Sequence, residues 1–148
     1  MFMSHYATEV CKCPGILLYS HQSENNEIVM RNILLVGLGG AVGAMLRYGV
    51  TLLCNALNWS SNLGTFLVNI AGSFAMGLLV SCCGQSPWLL MATVGICGGF
   101  TTFSTFSMQS VTLLQQGRYG AAALYILGTV LVCVLFAALG CYVGGKLK

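Results

Sequence analysis

The chain contains no aspartate, and its three glutamates, Glu9, Glu24 and Glu27, all lie near the N-terminus. From residue 31 to residue 148 there is no acidic side chain, and charged residues make up only 6% of the chain, against roughly a quarter of an average soluble domain. This absence excludes an ordinary soluble domain. It also argues against a membrane site for cations or protons, because such a site usually needs an intramembrane acid.

Histidine is almost as scarce, since His5 and His21 are the only two. No acid–base pair lies in the apolar part of the chain, so we predict that the protein is not an enzyme. The five Lys and Arg residues from position 31 onward are scattered, whereas nucleic-acid binding needs them clustered on one face. We therefore expect no nucleic-acid partner.

Apolar residues make up 57% of the chain and are concentrated in four segments, at about residues 33–54, 63–83, 88–114 and 121–143. About 20 helical residues span a bilayer core, and each segment is long enough. Ser86 and Pro87 mark the start of the third, as an N-cap and a first helical position. We predict an all-α integral membrane protein with four transmembrane helices and membrane lipid around it.

Residues 1–29 differ from the rest, because they hold the three glutamates and a polar run at residues 20–27. Their apolar run at residues 15–19 is too short for a signal-peptide core. We predict a disordered extension at residues 1–29 and a membrane domain at residues 30–148, with Met30 as an alternative start.

Basic residues give only a weak signal for orientation in the membrane. Four spans put both termini on one side, with Arg31, Lys146 and Lys148, and the other side carries Arg118. Because loop Lys and Arg set orientation, so small a difference leaves it poorly specified, and we expect insertion in both directions. Arg47 either extends to the far interface or faces an aqueous vestibule that attracts anions.

Small residues recur at four-residue spacing along several segments, which lets helix backbones approach closely. The pairs are Gly39/Gly43, Ser73/Gly77, Gly95/Gly99 and Gly140/Gly144. Because four small helices enclose little of a pore, we expect these faces to pack against a second subunit.

The third segment combines adjacent glycines with a run of hydroxyl side chains. Gly98 and Gly99 weaken the helix, and the hydroxyls at residues 101–107 can satisfy backbone groups that a break would free. Broken helices in mid-membrane build ion sites. We therefore predict a break here, the alternative being a continuous helix whose hydroxyls bond to its own carbonyls.

Further polar and aromatic side chains suit an anion. Thr65, Asn69 and Ser73 form a polar stripe along the second segment, and an amide carries two N–H donors. Phe103 and Phe106 share one helix face, and the positive edges of aromatic rings can line an anion path without a fixed charge.

With these residues, the sequence resembles the Fluc/CrcB family of small fluoride channels. The resemblance covers nearly all of residues 31–148 and rests on three motifs, at residues 39–48, 64–74 and 98–107. It implies a homodimer of antiparallel, dual-topology subunits in the cell inner membrane, with two fluoride pores. It also implies a structural Na⁺ held by the backbone carbonyls of Gly98 and Thr101.

The resemblance assigns the anion contacts to pore-lining side chains, namely Asn69, Phe103, Phe106, Ser104, Thr105, Thr65, Tyr125 and Cys133. Cys133 is a departure, since relatives often have serine there and a thiol is a weaker donor. Gln109 is a second departure, because many relatives have glutamate at that position.

Three functions compete for this sequence. A passive fluoride channel, which lets the ion leave the cytoplasm and protects against its toxicity, fits the polar stripe and the missing acids. A proton-coupled small multidrug exporter normally needs an intramembrane glutamate, which is absent from residues 31–148. A non-transporting assembly subunit would explain the glycine faces but not the polar side chains.

Overall fold

The computed structural model describes residues 26–82 and 86–147, and this part of the chain is entirely helical apart from short connections. The helices are α1 (Asn26–Ala56), α2 (Ser61–Cys82), α3 (Pro87–Leu90), a π-helical stretch (Met91–Cys97), α4 (Gly98–Phe100), α5 (Phe103–Gln115) and α6 (Tyr119–Lys146). Residues 87–115 together form one span, and four spans are long and apolar enough to cross a membrane.

The predicted segments agree with the observed helices to within a few residues, except at the start of α1. That helix already begins at Asn26, inside the last residues of the predicted extension, while residues 1–25 lie outside the described part. The multi-pass, all-helical prediction is confirmed.

Local signals fix the helix ends. The Ser86 hydroxyl accepts the backbone N–H of Leu89 at 3.1 Å, with Pro87 in the first turn, as the sequence predicted. After α5, Gly117 takes a left-handed conformation (φ 70°), and the N–H of Arg118 reaches back to the carbonyl of Leu113 at 3.0 Å. A glycine in this position closes the C-terminus of a helix without the cost that a Cβ would carry.

The glycine faces are used inside the chain, and the expectation that they pack a second subunit is wrong for these residues. A Cβ at Gly43 would overlap the carbonyl oxygen of Ile96, so α1 lies backbone to backbone against the third span. A Cβ at Gly140 would overlap the carbonyl oxygen of Phe74 on α2. The fold therefore consists of two tightly packed parallel pairs, α1 with the third span and α2 with α6.

The third span changes helix type and then breaks, as predicted. The break falls at Thr101 and Thr102, whose backbones are extended (ψ 158° and 109°), rather than at Gly98 and Gly99, which remain helical. The π-helical stretch Met91–Cys97 before it had no sequence prediction. Such π turns occur frequently at functional sites.

Candidate functional site

The break in the third span is held by a side chain from α2. The Asn69 amide donates from Nδ2 to the Thr102 carbonyl oxygen at 3.2 Å and accepts the Thr102 N–H at its Oδ1 at 2.8 Å. The Asn69 oxygen thus replaces the backbone acceptor that a continuous helix would have supplied to the Thr102 N–H, and the Asn69 N–H adds a bond to the Thr102 carbonyl, which caps the next helix. One of its two N–H donors is used in this way, and the second has no partner among the described residues.

Hydroxyl groups complete the start of α5. The Thr102 hydroxyl accepts the N–H of Thr105 at 3.3 Å and donates to the Thr105 hydroxyl at 3.0 Å. It also lies 3.3 Å from the Ser104 hydroxyl. On the other side of the break, the Thr101 hydroxyl donates to the Cys97 carbonyl oxygen at 3.0 Å. The Thr102 hydroxyl therefore satisfies a freed N–H as predicted, whereas the Thr101 hydroxyl bonds to a carbonyl that already accepts the Thr101 N–H.

Two carbonyl groups at the break remain open. Within the described part of the chain, no backbone N–H bonds to the carbonyl oxygen of Gly98 or Thr101, because Thr102 and Thr105 donate to side chains instead. Gly98 is exposed on the surface of the subunit. These are the two carbonyls that the sequence resemblance assigned to a cation, and unpaired carbonyl oxygens are suitable ligands for a hard cation.

A cavity of about 250 Å³ leads from the loop between α1 and α2 down to the break. Its described lining combines a mostly apolar surface with several hydroxyl groups, one cation and no acid: Ala44, Arg47, Tyr48, Thr51, Cys54, Asn55, Ser61, Gly64, Thr65, Val68, Thr102 and Thr105. Within the described part of the chain, the Arg47 guanidinium has no ion-pair or hydrogen-bond partner. Arg47 thus lines this cavity, and its role at an anion vestibule stays a prediction.

Three aromatic rings lie in contact next to the break. The ring centroids of Phe103 and Phe106 lie 5.6 Å apart, and those of Phe106 and Tyr125 lie 5.4 Å apart. Phe103 is 77% exposed, whereas Phe106 is 7% exposed. The structure therefore brings Phe106 and Tyr125 together within the subunit and leaves Phe103 on its surface. Cys133 lies two turns after Tyr125 on α6, as a half-buried free thiol.

A hydrogen-bond chain that the sequence did not predict joins three helices near these rings. The Tyr125 hydroxyl donates to Gln109 Oε1 at 2.7 Å, and Gln109 Nε2 donates to the Ser61 hydroxyl at 2.9 Å. Ser61 belonged to a predicted connection, and no local pattern marks its partner 48 residues away. The contact could be found only from the packing of α2, α5 and α6.

Residues 34–141 match the family described as CrcB-like protein, camphor resistance (CrcB). This match covers the cavity, the break and all three aromatic rings. The chain belongs to the CrcB family.

The names of several similar proteins state a function. The fluoride-specific ion channel FluC of Methylobacterium nodulans is 49% identical over 106 residues, which are 68% of this chain and 86% of that protein. FluC 2 of Nitrobacter hamburgensis is 41% identical over 116 residues, covering 73% and 94%. FluC of Pseudomonas putida is 37% identical over 127 residues, covering 80% of this chain and all of that protein.

Proposed function

We infer that this protein is a fluoride-specific ion channel that lets the ion leave the cytoplasm passively and so protects the cell from it. The observation that carries this inference is the family match, with relatives named fluoride-specific ion channels at up to 49% identity among those compared. The acid-free cavity beside Arg47 supports the same function, because it attracts anions and repels cations.

The side chains along this route suit a small, strongly hydrated anion. A pore must replace part of the ion's water shell and still bind weakly enough to release it. Hydroxyls of Thr65, Thr105 and Ser104, the free N–H of Asn69 and the ring edges of Phe103 and Phe106 are neutral donors of this kind. We assign the anion path to them, with Arg47 at its entrance and Tyr125 and Cys133 along α6.

The competing functions lack a matching feature. In the described part of the chain, the only acidic residue is Glu27, in the first turn of α1, so no carboxylate lies where a proton-coupled exporter would need one. A purely structural subunit would have no use for a cavity that holds a cation and several hydroxyl groups and ends at a broken helix. We place the channel in the cell inner membrane.

We propose that the working unit is an antiparallel homodimer. Ser104 and Phe103 are exposed on the subunit at the depth of the break, and Gly98 presents an open carbonyl there. Irregular backbone at membrane depth is tolerated only where protein or a water-filled cavity covers it. A second copy would cover these groups, and the weak Lys and Arg bias would let it insert in the opposite orientation.

A Na⁺ ion would fit the open carbonyls. The oxygens of Gly98 and Thr101 have no described backbone partner, and neutral oxygen ligands suit hard cations. The ion would offset the partial charges of these carbonyls and so stabilise the break, while the side chains of the same segment face the anion path.

The test is ion flux from liposomes that contain the purified full-length protein. Fluoride efflux should exceed chloride efflux by orders of magnitude and should need no proton gradient. Equal efflux of both ions, or efflux only with an imposed proton gradient, would contradict a passive fluoride-specific channel. Protein-free liposomes supply the background rate.

A further inference from the structure

Gln109 holds two hydroxyl groups in different ways, because its amide has one accepting and one donating end. Its Oε1 accepts the hydrogen of Tyr125, and its Nε2 donates to the oxygen of Ser61. Ser61 therefore acts as an acceptor toward Gln109.

The hydroxyl hydrogen of Ser61 is left without an acceptor in the described part of the chain. Ser61 is also the first residue of α2, and it lines the same cavity as Arg47 and Thr65. Helix N-termini favour negative charge, so the free hydrogen lies where the fold already attracts an anion. Because Ser61 is exposed, this hydrogen can donate to water in the acid-free cavity, and an anion that enters can take the place of that water.

We propose that Ser61 donates its hydroxyl hydrogen to the anion in the vestibule and that Gln109 is the positioning residue that keeps this hydrogen free. The proposal rests on the anion-channel function inferred above. Its chemical basis is that Gln109 presents its oxygen to Tyr125 and its NH₂ group, which only donates, to Ser61. A carboxylate at position 109 would accept from both Tyr125 and Ser61, and would remove the donor from the ion.

The decisive experiment is a double-mutant comparison of fluoride efflux from liposomes. Ser61→Ala alone should lower the rate about threefold to tenfold, the factor that one hydrogen bond is worth. Gln109→Glu should leave a working but slower channel at neutral pH. Ser61→Ala added to Gln109→Glu should cause little further loss, because the hydroxyl hydrogen is already taken there. Ser61→Thr, which keeps the hydroxyl, should restore most of the rate.

A pH series separates positioning from mere packing. Above the pKa of its carboxyl group, Gln109→Glu is ionised and takes the Ser61 hydrogen, and below it the neutral acid releases that hydrogen. The fluoride efflux rate of Gln109→Glu, corrected for protein-free liposomes, should therefore rise as the pH falls. The rate of the protein that keeps Gln109 should not change with pH. Thr112→Ala is the matched control, since that hydroxyl donates to the carbonyl of Met108 and does not line the cavity.

Specific outcomes would overturn the proposal. Equal losses from Ser61→Ala in the Gln109 and Gln109→Glu backgrounds would show that the amide does not control the serine. An unchanged rate in Ser61→Ala, with Tyr125→Phe slowing efflux instead, would give the donor role to the tyrosine. If the unmodified protein conducts fluoride and the variants give either of these two results, only the inference about Ser61 and Gln109 fails. If the unmodified protein conducts no fluoride, the proposed function fails.

Discussion

The side-chain amide of Asn69 forms two hydrogen bonds with the backbone of one residue, Thr102, located 33 positions later in the chain. This pairing connects α2 to the point at which the third span breaks. Asn69 is therefore a brace as well as a candidate anion contact. Its Oδ1 and one N–H are committed to the backbone, and the remaining N–H is the only part of the amide free to face an ion.

We predict that Asn69→Asp abolishes most fluoride flux. The substitution replaces the N–H that reaches the Thr102 carbonyl with a second oxygen, so two acceptors face each other and a buried bond worth about 1–3 kcal/mol is lost. It also puts a negative charge beside the path. Fluoride efflux and thermal stability in detergent should both fall. Asn58→Asp, in the exposed turn before α2, should change neither, and an active, stable Asn69→Asp would exclude the bracing role.

The two phenylalanines should respond differently to the same substitution. Phe103→Ile and Phe106→Ile both remove a positive ring edge, so both should slow fluoride efflux sharply. Phe106→Ile should lower the stability of the subunit more, by about 1 kcal/mol, because Phe106 is buried and packs on both Phe103 and Tyr125 while Phe103 is 77% exposed. Phe136→Ile on α6 is the control. Full flux in both variants would place the anion elsewhere.

Replacing Gly43 by alanine should disturb the close packing of α1 against the third span. Its Cβ would meet the Ile96 carbonyl oxygen and the Phe100 backbone nitrogen, neither of which can move alone. We expect a loss of about 1–3 kcal/mol in stability, as for other overpacked sites. Gly37→Ala, on the same helix with open space around it, should be neutral. Thermal unfolding in detergent measures both, and equal stability of the two variants would contradict the close packing.

We expect a tag on the C-terminus to be accessible from both faces of the membrane. Arg31 and Lys146 mark one end of the subunit and Arg118 the other, a difference too small to fix orientation. Labelling intact and then permeabilised cells with a membrane-impermeant reagent gives the two fractions. A tag reached only from the cytoplasm would exclude the antiparallel dimer. Adding lysines beside Arg118 should shift the ratio.

The sequence was informative wherever the cause of a structure is local. The spans follow from hydropathy, the start of α3 from Ser86 and Pro87, and the break from the hydroxyl run. The sequence alone could not show which helix packs against each helix face. The sequence around Gly43 is the same whether the glycine packs against another helix of the chain or against a second subunit. Asn69 and Gln109 each bond to a residue far along the chain, 33 and 48 positions away. Such pairings exist only once the helices pack.

Arg47 gives the vestibule a charge that no described side chain balances. A half-buried cation in a cavity of this kind draws a mobile counter-ion from solution, because solvation of the bare charge is reduced there. On the proposed path past Arg47, fluoride that enters would therefore displace the anion that neutralises the guanidinium. On that path the first step of permeation would be an exchange between anions, and chloride would compete with fluoride at the entrance even if it never passes the break.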